Sequence, residues 1–366
     1  MEFIDLKTPL ARNRAAIQAR IDAVLDHGRF INGPEIGELE ARLAERCGAA
    51  HCIAVSSGTM ALEIALRALG VGPDDEVVTT PFTWISTAET IALVGARPVF
   101  ADIDPPTYNI DPECVEAAIT PRTKAIIPVD LFGQMADYPA IEAIAGRHAI
   151  PIVADAAQSF GARQGERCAG AVGRVACTSF FPAKPLGCYG DGGALFTDDA
   201  HLAEDLRAIA NHGALQRDHH KLVGTNGRFD TLQAAILLAN LTVFDEELEQ
   251  RATIAARYAE SLRGVVRDVP ETAPGNTHIH AQYTIRSHDR DRLAADLREE
   301  GIPTAVYYPR CVHQQPAFHY LGRAEGDLPE AEAAARDVLS LPFHPYLDTP
   351  AQHRVIEAVA RLERSG

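Results

Sequence analysis

Lys184 stands in the run Ser179-Phe180-Phe181-Pro182-Ala183-Lys184-Pro185-Leu186-Gly187, which leads into Gly190-Asp191-Gly192-Gly193-Ala194. A primary amine after an apolar strand, held on a turn bounded by prolines and glycines, is placed to form an imine with an aldehyde. Taken alone, a lysine between prolines is a solvated turn residue. The chemical reading therefore depends on companions. An aldehyde cofactor of the pyridoxal phosphate (PLP) type needs a carboxylate for its ring nitrogen, amides and hydroxyls for its phosphate, an aromatic side chain for its ring, and the amine.

Each companion has a candidate. Asp155 ends the apolar, β-branched run Ile150-Pro151-Ile152-Val153-Ala154-Asp155, which reads as a buried parallel strand. A carboxylate there faces the crevice where open α/β sheets bind ligands, and its charge would keep a pyridine nitrogen protonated. By itself it reads more readily as a helix N-cap before Ala156-Ala157-Gln158. Ser56-Ser57-Gly58-Thr59 joins the strand-like His51 to Val55 to an amphipathic segment, so that free amides and a helix dipole face an anion, and Ser179 could add a hydroxyl. Trp84, the only tryptophan, lies in the hydroxyl-rich strand exit Thr80-Pro81-Phe82-Thr83-Trp84-Ile85-Ser86-Thr87. Stacking on a pyridine face would be worth about 0.5–1.5 kcal/mol beyond burial. A lone tryptophan is more often a core residue; its place between the phosphate seat and the aspartate favours the stacking role.

Together these residues resemble the sugar aminotransferases of the DegT/DnrJ/EryC1/StrS family, a branch of the fold-type I PLP enzymes. The likeness runs from Phe3-Ile4-Asp5-Leu6 and Gly33-Pro34-Glu35 through Asp155-Ala156-Ala157-Gln158 to Leu339-Ser340-Leu341-Pro342-Phe343-His344-Pro345, and is strongest over Ser179 to Thr197. The resemblance implies Lys184 as Schiff-base lysine and general acid/base, Asp155 on the ring nitrogen and Gln158 near the ring hydroxyl. It further implies Trp84 as stacker, with Gly58, Thr59 and Ser179 on the phosphate. Histidine at position 184 would suggest sugar dehydration; lysine argues for transamination. The family builds each active site from two subunits of a homodimer. Gly224-Thr225-Asn226-Gly227-Arg228-Phe229-Asp230 resembles its second-subunit element, with Asn226 reaching the partner's phosphate and Arg228 the partner's substrate. Without the family, the segment reads as a loop capping a helix near Asp230.

Within the family, the stretches Ala125 to Val129, Cys177 to Phe181, Lys184 to Gly193 and Asp230 to Leu238 resemble enzymes that aminate C3 of UDP-2-acetamido-2-deoxy-3-oxo-glucuronate with L-glutamate, for surface polysaccharide or glycoconjugate biosynthesis. A uronate and a glutamate side chain both suit the planar, bidentate guanidinium of Arg228. Those relatives carry a histidine before the tyrosine in the segment that here reads Tyr307-Tyr308-Pro309-Arg310. Tyr308 and His313 are taken as substrate-binding, with Arg310 beside them. The rival substrates are dTDP- or GDP-linked 3- or 4-keto sugars and cyclitols. The rival class is a catalytically silent regulator or scaffold that binds PLP or a sugar nucleotide.

Composition fits a soluble metabolic enzyme: 366 residues, 46% hydrophobic and 23% charged, enough for a substantial core. The formal net charge of -16 argues against nucleic acid and anionic membrane as partners. No apolar run is long enough to span a bilayer, and Met1 to Asp5 shows no signal-peptide start, so the cytoplasm is expected. The seven cysteines are scattered and read as free thiols, and the histidine clusters lack the spacing of a zinc site.

Strand-like and helix-like segments alternate, which predicts an α/β fold with a mixed, mostly parallel sheet flanked by helices. Expected strands are Cys52 to Val55, Glu76 to Thr79, Pro98 to Asp102, Ala125 to Val129, Ile150 to Ala154, Thr178 to Phe181, Ala194 to Thr197 and Gln282 to Arg286. Expected helices are Ala11 to Leu25, Thr87 to Leu93, Pro112 to Ala118, Ala140 to His148, Ala200 to Asn211, Asp289 to Glu300 and Thr349 to Leu362. A long apolar-periodic stretch, Thr231 to Tyr258, is expected to cross from a large PLP-binding domain (1–243) to a smaller α+β domain (244–366).

Overall fold

The structure, a computed structural model, describes residues 1–216 and 218–364. Seven strands build its main sheet: β1 (His51–Val55), β2 (Glu76–Thr79), β3 (Arg97–Phe100), β4 (Thr123–Ile127), β5 (Val153–Asp155), β6 (Val175–Ser179) and β7 (Gly193–Thr197). The ladders β1-β7-β6-β5 and β3-β2-β4 are joined by parallel bridges from Ile126 to Ile152 and from Val129 to Asp155. β7 runs antiparallel to β1 and β6, and the other neighbours are parallel. This is the mixed, mostly parallel sheet that the alternating pattern predicted.

The strand period of two explains why the sheet is covered on both sides. Val78, Ile126, Ala154, Ala176 and Phe196 join a cluster with Leu39, Leu43, Ile141 and Leu237. Their strand neighbours Val77, Ile127, Val153, Val175 and Leu195 join another with Leu62, Ile64, Ile91 and Leu206. Each large side chain buried this way contributes about 1.5–3 kcal/mol, which fixes the register and with it the residues at the strand ends.

Farther along, Tyr283–Arg286 pairs antiparallel with Val338–Leu341. This strand pair shares an apolar cluster with the helices Phe244–Leu262, Arg290–Glu299 and Thr349–Arg364. A further cluster joins Phe82, Phe100 and Val129 to Val312, Phe318 and Val338.

The stretch expected to be continuous from Thr231 to Tyr258 is two helices, Thr231–Asn240 and Phe244–Leu262. Thr242 ends the first by turning both its amide and its hydroxyl back onto the Ala239 carbonyl. The first helix begins at Lys7 because Asp5 accepts from the Lys7 and Thr8 amides. Pro34–Cys47, unassigned from sequence, starts with proline in its first turn and ends at Gly48 with φ 73°. Among the described residues, no helix is long and apolar enough to cross a membrane, and all seven cysteines are free.

Candidate active site

The relevant strands deliver their residues to one edge of the sheet. β5 ends at Asp155, β6 at Ser179, and β1 passes into Ser56-Ser57. This is the carboxyl edge, where ligands of open α/β sheets bind.

Ser57 caps the helix Gly58–Ala68, its hydroxyl accepting from the Met60 amide at 3.0 Å. The cradle around that N-terminus has no room for side chains at its glycines. A Cβ on Gly58 would lie 2.7 Å from the Ser179 Cβ, and one on Gly193 would lie 2.5 Å from the Ser57 carbonyl carbon. Bare backbone, a helix N-terminus with Thr59 in its first turn, and the Ser179 side chain therefore lie together, a combination that fits a phosphate.

Asp155 is buried, 4% exposed. Its Oδ2 accepts from the Thr87 hydroxyl at 2.9 Å and its Oδ1 from the Ala157 amide at 3.2 Å. Burial raises its proton affinity, and the two hydrogen bonds and the charge of Lys184 work against that rise. A carboxylate so enclosed gains by pairing with a cationic ring nitrogen, so a protonated pyridine fits it.

Lys184 sits on a tight turn whose amide donates to the Phe181 carbonyl at 2.8 Å. Burial pushes its amine down to about 8, with Asp155 pulling the other way. The two groups are thus close enough for their charges to act on each other, and about a tenth of the amine is uncharged at pH 7, far more than for an ordinary lysine. That is the form that attacks an aldehyde.

Gln158 is committed at both ends: Oε1 accepts from the Phe132 amide at 2.9 Å, and Nε2 donates to the Tyr308 hydroxyl at 3.2 Å. The Tyr308 ring centroid stands 6.1 Å from that of Trp84, and Trp84 is 59% exposed, leaving its face open to a planar ring. The structure therefore brings Trp84, Gln158 and Tyr308 together.

Asn226 and Arg228 lie beside the end of β1 in this protomer. Gly227 O accepts from the Ser56 amide, Arg228 pairs with Val55, and its guanidinium donates to Asn211 Oδ1 at 3.0 Å. Arg228 lines a separate pocket with Asn32, Glu40 and Arg207. His313, expected in the substrate shell, is instead a core residue. It is 1% exposed, packs against Phe100, and places Nε2 3.2 Å from Glu332 Oε1.

Two residues of the site were not singled out from sequence. Thr87 belongs to the hydroxyl-rich strand exit, which was the available signal. Asp130 had none: it is fully buried, and its carboxylate accepts from the Ala136 amide, Tyr138 and Ser159, bracing the turn that carries Gln158.

Comparison with known proteins agrees with this geometry. A UDP-2-acetamido-2-deoxy-3-oxo-D-glucuronate aminotransferase of Pseudomonas aeruginosa is 54% identical over 95% of this chain and 96% of its own. A DegT DnrJ EryC1 StrS aminotransferase from Brucella abortus superposes with a TM-score of 0.96 at 46% identity, covering 99% of both chains. A Bacillus subtilis structure with bound cofactor PMP superposes at 0.93 with 30% identity, covering 100% of this chain and 85% of the other. Residues 11–360 match the family as a whole, and the chain belongs to the DegT/DnrJ/EryC1/StrS aminotransferase family.

Proposed function

We propose that this PLP-dependent aminotransferase moves an amino group from L-glutamate to C3 of UDP-2-acetamido-2-deoxy-3-oxo-glucuronate, in a homodimer with shared active sites. The observation that carries the reaction type is the buried Asp155 beside the depressed Lys184 amine at the carboxyl edge of the sheet. The substrate rests on the 54% identity to the Pseudomonas enzyme of that name.

When bound, PLP supplies an electron sink for the carbon that loses its proton. Asp155 holds the proton on the ring nitrogen. The Gly58 cradle, with Thr59 and Ser179, anchors the phosphate. Trp84 covers one ring face, while Gln158 holds Tyr308 beside it. Lys184 Nζ takes the proton from the donor α-carbon and, in the return half, gives one to the sugar carbon that becomes C–N. Arg228 and Asn226 act on the partner's site, with Arg228 facing the uronate. The same reading divides the chain at Phe244, supported by the separate apolar cluster that starts at Ile254. Free thiols in every cysteine support a reducing, cytoplasmic setting.

The test is turnover of glutamate with a panel of UDP-, dTDP- and GDP-linked keto-sugars. The uronate is expected to be preferred, and Arg228→Ala to raise KM for it more than for neutral sugars. Turnover with neutral sugars alone would remove the uronate, and equal losses on both would remove Arg228 from its role. Lys184→Ala should abolish turnover while PLP still binds without a covalent link.

A further inference from the structure

Lys184 also lines a cavity of about 340 Å³, with Asp5, Leu6, Glu247, Arg251 and His344 in its wall. The N-terminal segment around Leu6, the helix Phe244–Leu262 and the segment around His344 close it. Its volume is at the lower end for small-molecule sites, about 300–1,000 Å³.

The polar groups in its wall are incompletely satisfied. Arg251 is 6% exposed, and among the described residues its guanidinium has one hydrogen bond, to the His280 carbonyl at 3.1 Å. Among the described residues its Nε has no partner, and the group lies over the Phe343 ring at 5.6 Å. Burial pulls its proton affinity down, to about 10, with Glu247 opposing. Glu247, on the same helix, makes no ion pair with it among the described residues, and its Oε1 accepts from the Tyr346 hydroxyl at 2.5 Å. His344, 5% exposed, has an Nδ1 without a partner among the described residues. A buried cation lacking a carboxylate partner is costly, and a ligand carboxylate relieves that cost through the planar fork of the guanidinium.

We infer that this cavity is the seat of the amino donor, in which Arg251 holds the side-chain carboxylate of a dicarboxylic amino acid whose α-amino group lies beside Lys184. The α-carboxylate is attached to the reacting carbon and stays near Lys184, so the carboxylate at the far end of the donor is the one that reaches Arg251. The inference rests on the aminotransferase reading and assigns donor choice to a residue of the same protomer as the lysine, whereas sugar choice is assigned to Arg228 of its neighbour.

Calorimetry on the PLP-loaded enzyme with unreactive acids tests it. Glutarate is expected to bind more tightly than butyrate. Arg251→Gln should weaken glutarate at least about tenfold and leave butyrate unchanged. The rate at which glutamate bleaches the visible cofactor band should fall toward the rate with glutamine, while the return of the band on adding keto-sugar stays the same. If Arg251→Gln does not fold, Arg251→Lys serves, with a smaller loss of the glutarate preference. Equal weakening of both acids, an unchanged preference, or a loss confined to the keto-sugar half would overturn the assignment. Failure of wild-type protein to form a visible band with PLP would instead sink the cofactor reading. Bleaching by glutamate without recovery on any keto-sugar would sink only the acceptor.

Discussion

The Thr87 hydroxyl donates to Asp155 Oδ2 across 2.9 Å, tying the helix Ser86–Leu93 to the end of β5. Thr87 is itself 1% exposed, and its hydroxyl lies 3.3 Å from that of Thr83, so the Asp155 carboxylate is backed by a short chain of buried hydroxyls. This bond opposes the rise in proton affinity that burial imposes on Asp155. Thr87→Val keeps the shape and removes the donor, leaving the Ala157 amide as the remaining partner. A hydrogen bond to a charged group is worth about 1.5–3 kcal/mol. PLP affinity should therefore fall about tenfold or more, read by titrating the apoenzyme, and Thr87→Ser should restore most of it. Unchanged affinity in Thr87→Val would reduce Thr87 to packing.

The contact between Gly58 and Ser179 gives a second prediction. A Cβ at position 58 would approach the Ser179 Cβ to 2.7 Å and its Cα to 3.3 Å, so relief requires moving the backbone of either the helix N-terminus or the end of β6. Both line the proposed phosphate cradle. Gly58→Ala is expected to weaken PLP binding at least about tenfold with a smaller effect on Tm. Adding Ser179→Gly removes the nearer clash and should recover part of the loss, so the two changes are non-additive. Strict additivity would show that the two residues act separately.

The sheet and the lysine turn were legible in the sequence because their signals are local. Apolar β-branched runs set the strands, and the Lys184 turn carries its own prolines and glycines. The break at Leu241–Val243 was hidden because apolar periodicity continues through it; only the backbone-directed hydroxyl of Thr242 marks the end. His313 was misplaced for a different reason. A histidine near a tyrosine in a loop has the composition of a substrate shell, and only tertiary packing against Phe100 and Glu332 shows that it is core. Asp130 was invisible because its three donors come from positions 136, 138 and 159, and the turn that gathers them exists only once β4 and β5 are side by side.

Asp130 also makes stability depend on pH. Burial raises its carboxyl from 3.8 to about 7, and the hydrogen bonds from Ala136, Ser159 and Tyr138 hold it from going higher, while Asp155 adds to the rise. Between about pH 4 and 7 the folded chain therefore keeps a proton on Asp130 that the unfolded chain has released. The sign follows: this group's contribution is fully present below its unfolded value, is lost as pH rises through the folded one, and is flat above it. Asp130→Asn keeps an acceptor for Ala136 and Tyr138, leaves Ser159 to rotate and accept from the new amide, and does not titrate. Urea unfolding of both proteins across pH 4 to 8 should show wild type losing stability relative to Asp130→Asn by up to about 1.4 kcal/mol per pH unit within that window, with parallel curves above pH 7. Curves that stay parallel throughout would mean that Asp130 is ionised in the folded chain at all these pH values, and that its three donors outweigh its burial.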